Sequence, residues 1–319
     1  MSIEPIKNVA IVGASGRIGG AFAKALSATG KHNVTVLVRK ESKATLPEGV
    51  HVIRVDYNDE DSIINALNGQ QFLAITLGVR APEDLHAKIT TAAGKAGVTY
   101  IMPNAYGYPA NPDSDDVYGK AVLTRLNDAN NGVSSGVTLS CGFWYEWSLA
   151  SGEQWFGFTI KDRKVTFFDD GKRTLTVSTW DQCGRAFAAF LSLPETGHSP
   201  CVRDFKDVPI YSFQVSQRDM LDSLHRVLGT KDSDWEIKYE PVSQRIKDGA
   251  EEFAKGIFTG FAKMLYGGVF QVDNSQSDYA STLSVANETL GLPKEDLDEA
   301  TKRTVEMVEG GWNPFGNMG

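Results

Sequence analysis

Residues 8–20 read NVAIVGASGRIGG, and no other stretch limits the fold of this chain as sharply. Val9, Ala10, Ile11 and Val12 form an apolar run too short for a helix, as expected of a strand buried on both faces. Gly13, Gly16 and Gly19 follow at three-residue intervals, and AFAKALSATG continues a helix expected from about Arg17 to Ala28. One glycine lets the chain turn sharply off the strand, another lets the backbone approach an anion, and the last lets helix and strand pack closely. The first N–H groups of the helix have no partners within it and are placed to receive a pyrophosphate. An ordinary strand–turn–helix would tolerate the same glycines. Their place between an N-terminal strand and a helix favours a dinucleotide held by Gly13, Ser15, Gly16, Arg17, Ile18 and Gly19.

The chain then alternates strand and helix. HNVTVLVRK is a second strand, with Val34, Val36 and Val38 alternating, and it ends on Arg39 and Lys40. An acid at that end would bond the ribose hydroxyls of NAD, whereas a base pairs with the extra phosphate of NADP, so the expected cofactor is NADP(H). VHVIRVDYND is a third strand ending at Asp56, an acid that either contacts the adenine or caps the next helix. QFLAITLG is a fourth, with a small-residue exit at Thr76, Leu77 and Gly78 that can pass close to the cofactor. Leu85, Ile89, Ala92, Ala93 and Ala96 keep helical spacing between Glu83 and Gly97, and VTYIMP is a fifth strand. This order predicts an α/β protein with a Rossmann-type doubly wound parallel sheet, its ligands at the strand C-termini. A smaller C-terminal α/β lobe completes it. The expected division is a nucleotide-binding domain over 1–150, with a returning segment near 163–230, and a mainly substrate-binding lobe over 151–319.

Composition removes other classes. A net charge of −8 with scattered acids is unlike a nucleic-acid surface. No apolar run approaches the ~20 residues that span a bilayer, and MSIEPIKNVA is not a signal peptide. Cys141, Cys183 and Cys201 form no C-x-x-C, and the five histidines lack ligand spacing. The expectation is a cytoplasmic, metal-free protein, monomer or homodimer, with no membrane or nucleic-acid partner.

The chemistry is expected in PNAYGYPANPDSDDVYGKAVLTRLNDANNG, a loop that becomes a helix near Asp115 and carries Asn104, Tyr106, Tyr118 and Lys120. On spacing alone, Lys120 is as well explained as a solvated helical lysine. VTLSCGFWYEWSL is read as a sixth strand, with Gly142 and Phe143 reaching the cofactor at its end. Trp144, Tyr145, Trp147 and Trp155 then form a density of rings suited to walling a planar ligand, or to packing a lobe. Glu146 is either a candidate acid or substrate anchor, or a surface charge on a loop. KVTFFDDGKRTLTVSTW reads as a hairpin about Asp170-Gly171, with a return helix from Asp181 to Leu191. A single helix is expected from Arg245 to Tyr266, with Phe253, Ile257, Phe261 and Leu265 as its apolar stripe. Phe261 would face the substrate. Glu295 to Glu309 is the last helix.

VAIVGASGRIGGAFAKAL, the Arg39 strand end, the PNAYG loop and the YGKAVLTRL helix together resemble the NmrA-like and isoflavone-reductase-like group of atypical short-chain dehydrogenases. The likeness in element order runs through about the first 230 residues. PNAYG is similar to that group's serine–glutamate–tyrosine–glycine loop, with Ala105 in place of the glutamate. The resemblance implies NADPH-dependent reduction of a small aromatic or polyketide-like molecule, with Lys120 on the position of the family's single lysine, as the catalytic or cofactor-contacting group, and Tyr106 and Tyr118 beside it. The spacing Y-x-K replaces the Y-x-x-x-K of ordinary short-chain dehydrogenases. The same group also contains regulators that bind NADP(H) without turnover, and a non-redox cyclisation or isomerisation that keeps the cofactor is a third alternative.

Overall fold

The computed structural model describes residues 6–78, 81–111, 113, 117–193, 207–271 and 275–314. It begins β1 (Asn8–Val12), α1 (Arg17–Ala28), β2 (Asn33–Arg39), β3 (His51–Val55), α2 (Glu60–Leu67), β4 (Phe72–Ile75) and α3 (Leu85–Lys95). Next come β5 (Tyr100–Met102), α4 (Val117–Ala129), β6 (Ser135–Gly136), β7 (Thr138–Ser140), β8 (Phe143–Trp144), α5 (Tyr145–Ala150) and β9 (Phe158–Thr159). They are followed by β10 (Lys164–Phe168), β11 (Leu175–Ser178), α6 (Trp180–Leu191), β12 (Asp207–Pro209), β13 (Phe213–Val215) and α7 (Gln217–Leu228). The chain closes with β14 (Glu236–Glu240), α8 (Val242–Ala254), α9 (Phe258–Phe270), α10 (Tyr279–Thr282) and α11 (Leu297–Glu309). Two compact units result. The first comprises Met1–Ser140, Trp180–Ile210 and Val285–Leu292; the second comprises Cys141–Thr179, Tyr211–Ser284 and Pro293–Gly319.

In the first unit six strands form one sheet in the order β3-β2-β1-β4-β5-β6, and every neighbouring pair is parallel. The order reverses between β1 and β4, which makes their C-terminal ends the switch point where such sheets bind ligands. Both faces are covered, so β1 is continuously apolar from Val9 to Val12 rather than alternating. On one face Phe22 of α1 stacks on Phe187 of α6 at 4.3 Å, and Phe187 meets Phe72 of β4 edge-on. Gly184 lets α6 approach α1 closely, since a Cβ there would stand 2.7 Å from the Ala21 carbonyl oxygen. On the other face Ile63, Leu67, Ile89, Ala92 and Ala93 pack against Ala10, Val12, Leu73 and Ile75. The expected continuous sixth strand is broken. β6 stays in the sheet, β7 pairs with β12, and β8 belongs to the second unit. Gly142 explains the last step. Its φ is +63°, and the Thr176 carbonyl oxygen lies 2.0 Å from where a Cβ would be, so the chain bends where a side chain cannot fit.

Two expectations for the second unit fail. The turn at Asp170-Gly171 forms, with the Gly171 N–H donating to the Phe168 carbonyl at 3.0 Å. The strands beside it diverge, however: β10 pairs with β9 and β14, while β11 pairs with β8 and β13. Other segments take the turn's hydrogen bonds, because Asp169 N–H donates to Glu240 and Arg218 N–H donates to Gly171. The single helix is two, α8 and α9, separated by Gly256 at φ +77°. They fold back on each other through glycines, and a Cβ on Gly260 would lie 2.4 Å from the Gly249 carbonyl oxygen. The expected stripe is therefore split, and Phe253, Ile257 and Phe258 are exposed at the tip.

Gly260→Ala should destabilise the fold by about 1–3 kcal/mol through overpacking of this seam. Gly268→Ala, where a Cβ meets nothing within 4 Å, should leave stability unchanged or raise it. Thermal unfolding of the two variants beside the parent chain measures the difference.

Candidate functional site

The glycine loop is shaped by contact with Thr76. Gly13 has φ +85°, and a Cβ there would lie 2.2 Å from the Thr76 carbonyl oxygen. At Gly19 a Cβ would lie 2.3 Å from Thr76 Oγ1 and 2.5 Å from the Gly13 carbonyl oxygen. Thr76 itself donates from its hydroxyl to the Val12 carbonyl at 2.7 Å, fixing β4 against β1. Gly16 is different: it is exposed, and a Cβ would meet only the Gly13 carbonyl oxygen, at 3.2 Å. Ser15, Gly16 and Arg17 are open to solvent, while Ile18 and Gly19 turn inward. Gly16 is the N-cap of α1, no side chain caps the helix, and no acid lies in its first turn. An uncapped, acid-free helix start behind a glycine turn fits a pyrophosphate. Arg17 lies over the Trp180 ring at 5.2 Å, a lateral wall that the sequence did not signal.

At the second strand end Arg39 and Lys40 are both exposed, but their surroundings differ. Lys40 Nζ is 3.2 Å from Asp56 Oδ2. The Asn58 backbone N–H and the Lys40 ammonium hold the Asp56 carboxyl below the usual carboxylate range. Asp59, not Asp56, caps α2, so the capping alternative for Asp56 fails. Among the described residues no carboxylate forms an ion pair with Arg39. Arg54 donates from one guanidinium nitrogen to the Lys40 and Ser42 carbonyls at 2.8 and 3.0 Å. A lone arginine in a strand gave no reason to single it out.

The exits of β4 and β5 are fastened together. Asn104 Nδ2 donates to the Leu77 carbonyl at 3.1 Å, and Arg125 donates to the Asn104 carbonyl at 2.7 Å. The Asn104 N–H faces His86 Nε2 at 3.4 Å, while His86 Nδ1 is 3.2 Å from Asp128 Oδ2. With Nε2 accepting, the proton sits on Nδ1 and points to Asp128. Burial lowers the His86 pKa, with Asp128 opposing that shift, so the ring is neutral at pH 7. His86 occupies a buried face of α3, and its place in the sequence gave no sign of these partners. Gly78 lies exposed just beyond Leu77. Tyr106 donates its hydroxyl to the Ile75 carbonyl at 3.0 Å and sets its ring edge-on to Phe22 at 5.5 Å. Lys120 is exposed in the first turn of α4. The Tyr118 side chain and the expected helix start near Asp115 lie outside the described residues.

In the second unit the aromatic residues divide between packing and partial exposure. Tyr145 is fully buried, its hydroxyl 2.7 Å from Thr301 Oγ1, and burial pushes its pKa up. Phe143 stacks on Tyr266 at 3.9 Å, and Trp155 meets Trp147 and Tyr266 edge-on. Trp155 is buried, whereas Phe143, Trp144 and Trp147 are half-buried. Trp144 Nε1 is a buried donor with no acceptor among the described residues. Phe261 is half-buried and lies 6.0 Å from both Phe253 and Phe258.

Glu146 is not the surface charge that its sequence setting favoured. It is 4% exposed; Oε1 lies 3.3 Å from Arg303, and Oε2 has no partner among the described residues. Burial, opposed by Arg303, pushes its carboxyl up to about 7. The folded chain therefore holds this proton more tightly than the unfolded chain, whose ordinary value is 4.5. The stabilisation is full below the unfolded value and is lost as pH rises through about 7. Glu146→Gln should melt a few degrees above the parent chain at about pH 8 and close to it at about pH 5, as read by calorimetry across pH.

Among the described residues no group of three or more His, Cys, Asp or Glu side chains could hold a metal ion. Nor, among the described residues, is any helix long and apolar enough to cross a membrane. Cys141 and Cys183 are buried and form no disulfide among the described residues; Cys201 lies outside the described residues.

The sequence model of an NAD(P)H-binding family matches residues 13–130. Oxidoreductase aprR of Aspergillus flavus is 26% identical over 300 residues, which cover 91% of this chain and 96% of that protein. Among solved structures, AtPrR2 with NADP+ and (+)-pinoresinol aligns at a TM-score of 0.71 and 16% identity, over 95% of this chain and 100% of its own. Isoflavone reductase aligns at 0.68 and 20% identity, over 94% of this chain and 99% of its own. At such identities the structural likeness is one of fold. Residues 13–130 thus match an NAD(P)H-binding family, and the chain shares the Rossmann-type fold of these two solved proteins.

Proposed function

We propose that this protein is an NADPH-dependent reductase of a small aromatic or polyketide-like molecule. The observation that carries the reading is the contrast at the end of β2: Arg39 is exposed with no carboxylate paired to it among the described residues, while Asp56 is neutralised by Lys40. A cation without a counter-ion at this corner suits a 2′-phosphate, and an occupied carboxylate is a poor acceptor for ribose hydroxyls. The oxidoreductase relative and the NADP+ and pinoresinol held by a protein of the same fold support the class.

NADPH would be held by Gly13, Ser15, Gly16, Arg17, Ile18 and Gly19, by Arg39, and by the Thr76–Gly78 and Asn104 exits; bound there, it supplies the hydride. Lys120 gives or takes the proton at the substrate oxygen, a contribution on the order of a hundredfold or more. Tyr106 holds its loop to β4 through Ile75, which fixes the neighbouring polar groups. The half-buried Trp144 and Trp147, with Glu146, are the groups of the second unit assigned to substrate recognition; Trp144 offers an indole N–H that has no acceptor among the described residues.

NADPH should bind at least tenfold more tightly than NADH, and Arg39→Ala should bring the two dissociation constants together, as read by coenzyme fluorescence titration. Equal affinities in the parent chain would sink the coenzyme assignment. In a screen of aromatic carbonyl and enone compounds followed by NADPH consumption, Lys120→Ala should lose about a hundredfold in kcat, with NADPH affinity nearly kept. Retained turnover with an unchanged pH profile would remove Lys120 from the chemistry. Binding of both coenzyme forms with no turnover across the screen would favour the regulator instead.

A further inference from the structure

Arg54 makes an arrangement that the coenzyme reading has not used. It lies opposite Val38 in the β2–β3 register. Ile53 and Val55 on either side of it turn into the core beneath α2 and α3, leaving Arg54 on the other, exposed face. An exposed arginine in an edge strand ordinarily points to solvent or to an acid. This one, though exposed, also bonds to backbone. A single nitrogen, Nη1, donates to the Lys40 carbonyl at 2.8 Å and to the Ser42 carbonyl at 3.0 Å. The same segment is closed by the Ser42 N–H donating to the Arg39 carbonyl at 3.0 Å. One guanidinium thus ties down the turn whose first residue is Arg39.

The turn has few other supports. It is exposed from Arg39 to Glu41, with Ser42 half-buried. Its only ion pair among the described residues joins Lys40 to Asp56, which anchors a side chain and not the carbonyls that Arg54 receives. An exposed turn without such a brace spreads Arg39 over many orientations, and ordering it on binding weakens the complex. We propose that Arg54 is a positioning residue for coenzyme selection: by clamping the Lys40 and Ser42 carbonyls it holds Arg39 where the 2′-phosphate of NADPH is read. This rests on the NADPH reading above. Arg54 does not touch the coenzyme in this role. It removes the disorder that Arg39 would otherwise carry, and keeping two carbonyls occupied also withdraws their partial negative charge from the phosphate.

The test uses the full-length chain and its affinities for NADPH and NADH, alone and combined with Arg39→Ala. Arg54→Gln should weaken NADPH about tenfold while NADH changes less than about twofold, because only the 2′-phosphate reads the turn. Arg54→Lys, which keeps a donor for one of the carbonyls, should recover part of that loss. Adding Arg54→Gln to Arg39→Ala should cause no further loss, since Arg54 acts through Arg39. Equal weakening of both coenzymes would make Arg54 a general support of the sheet edge and overturn the proposal. An unchanged ratio in Arg54→Gln would overturn it too, as would an additive double variant, which would mean direct contact with the phosphate. A parent chain that prefers NADPH and loses that preference in Arg39→Ala but not in Arg54→Gln would reject this inference alone. A parent chain without preference would reject the reading beneath it.

Discussion

Contact between Thr76 and two glycines fixes the nucleotide end of the first unit. Gly13 and Gly19 are both pressed against it, and either Cβ would sit inside 2.5 Å of a Thr76 oxygen. Thr76 in turn joins β1 to β4 through the Val12 carbonyl. The loop cannot be moved without parting the two central strands, so its geometry is inherited from the sheet. A phosphate cradle built in this way is stiff before any ligand arrives, which lowers the cost of binding. Gly16 is the exception. It packs on little, and its exposed backbone is the part left open for a ligand.

Much of this was readable from residue order because each signal was local. A four-residue apolar run, glycines at three-residue spacing and the α1 pattern are short-range features, and α1 runs from Arg17 to Ala28 as expected. The basic strand end at Arg39 was equally plain. What escaped were groups whose meaning depends on distant partners. His86 looked like one more position on α3 until Asn104 and Asp128 came beside it. Glu146 stood in an aromatic run that gave no hint of burial against Arg303.

The second unit was harder for a related reason. Its strands are two to five residues long and divide between two three-stranded sheets, so a turn signal such as Asp170-Gly171 could not say where its flanks would pair. The periodic stripe from Phe253 to Leu265 had the correct spacing for one helix. Gly256 ended that helix, and close packing through Gly249, Gly260 and Gly267 turned it into a hairpin. Tertiary approach decided what periodicity alone could not. The aromatic density served mainly to pack this unit: Tyr145, Phe156 and Phe158 are interior, and Phe143 is stacked on Tyr266. Trp144 and Trp147 keep part of their surface outside.

The chain passes between its two units after Ser140, Thr179, Ile210, Ser284 and Leu292. During synthesis the parallel sheet from β1 to β6 can close early, because all its strands lie within the first 136 residues. β7 must then wait for β12, some 70 residues later, and the first unit is incomplete until Val285–Leu292 has been made. No single cut in the sequence yields either unit whole. Truncated fragments therefore carry unfinished edges, and the nascent chain holds an open strand at β7 until β12 has been made.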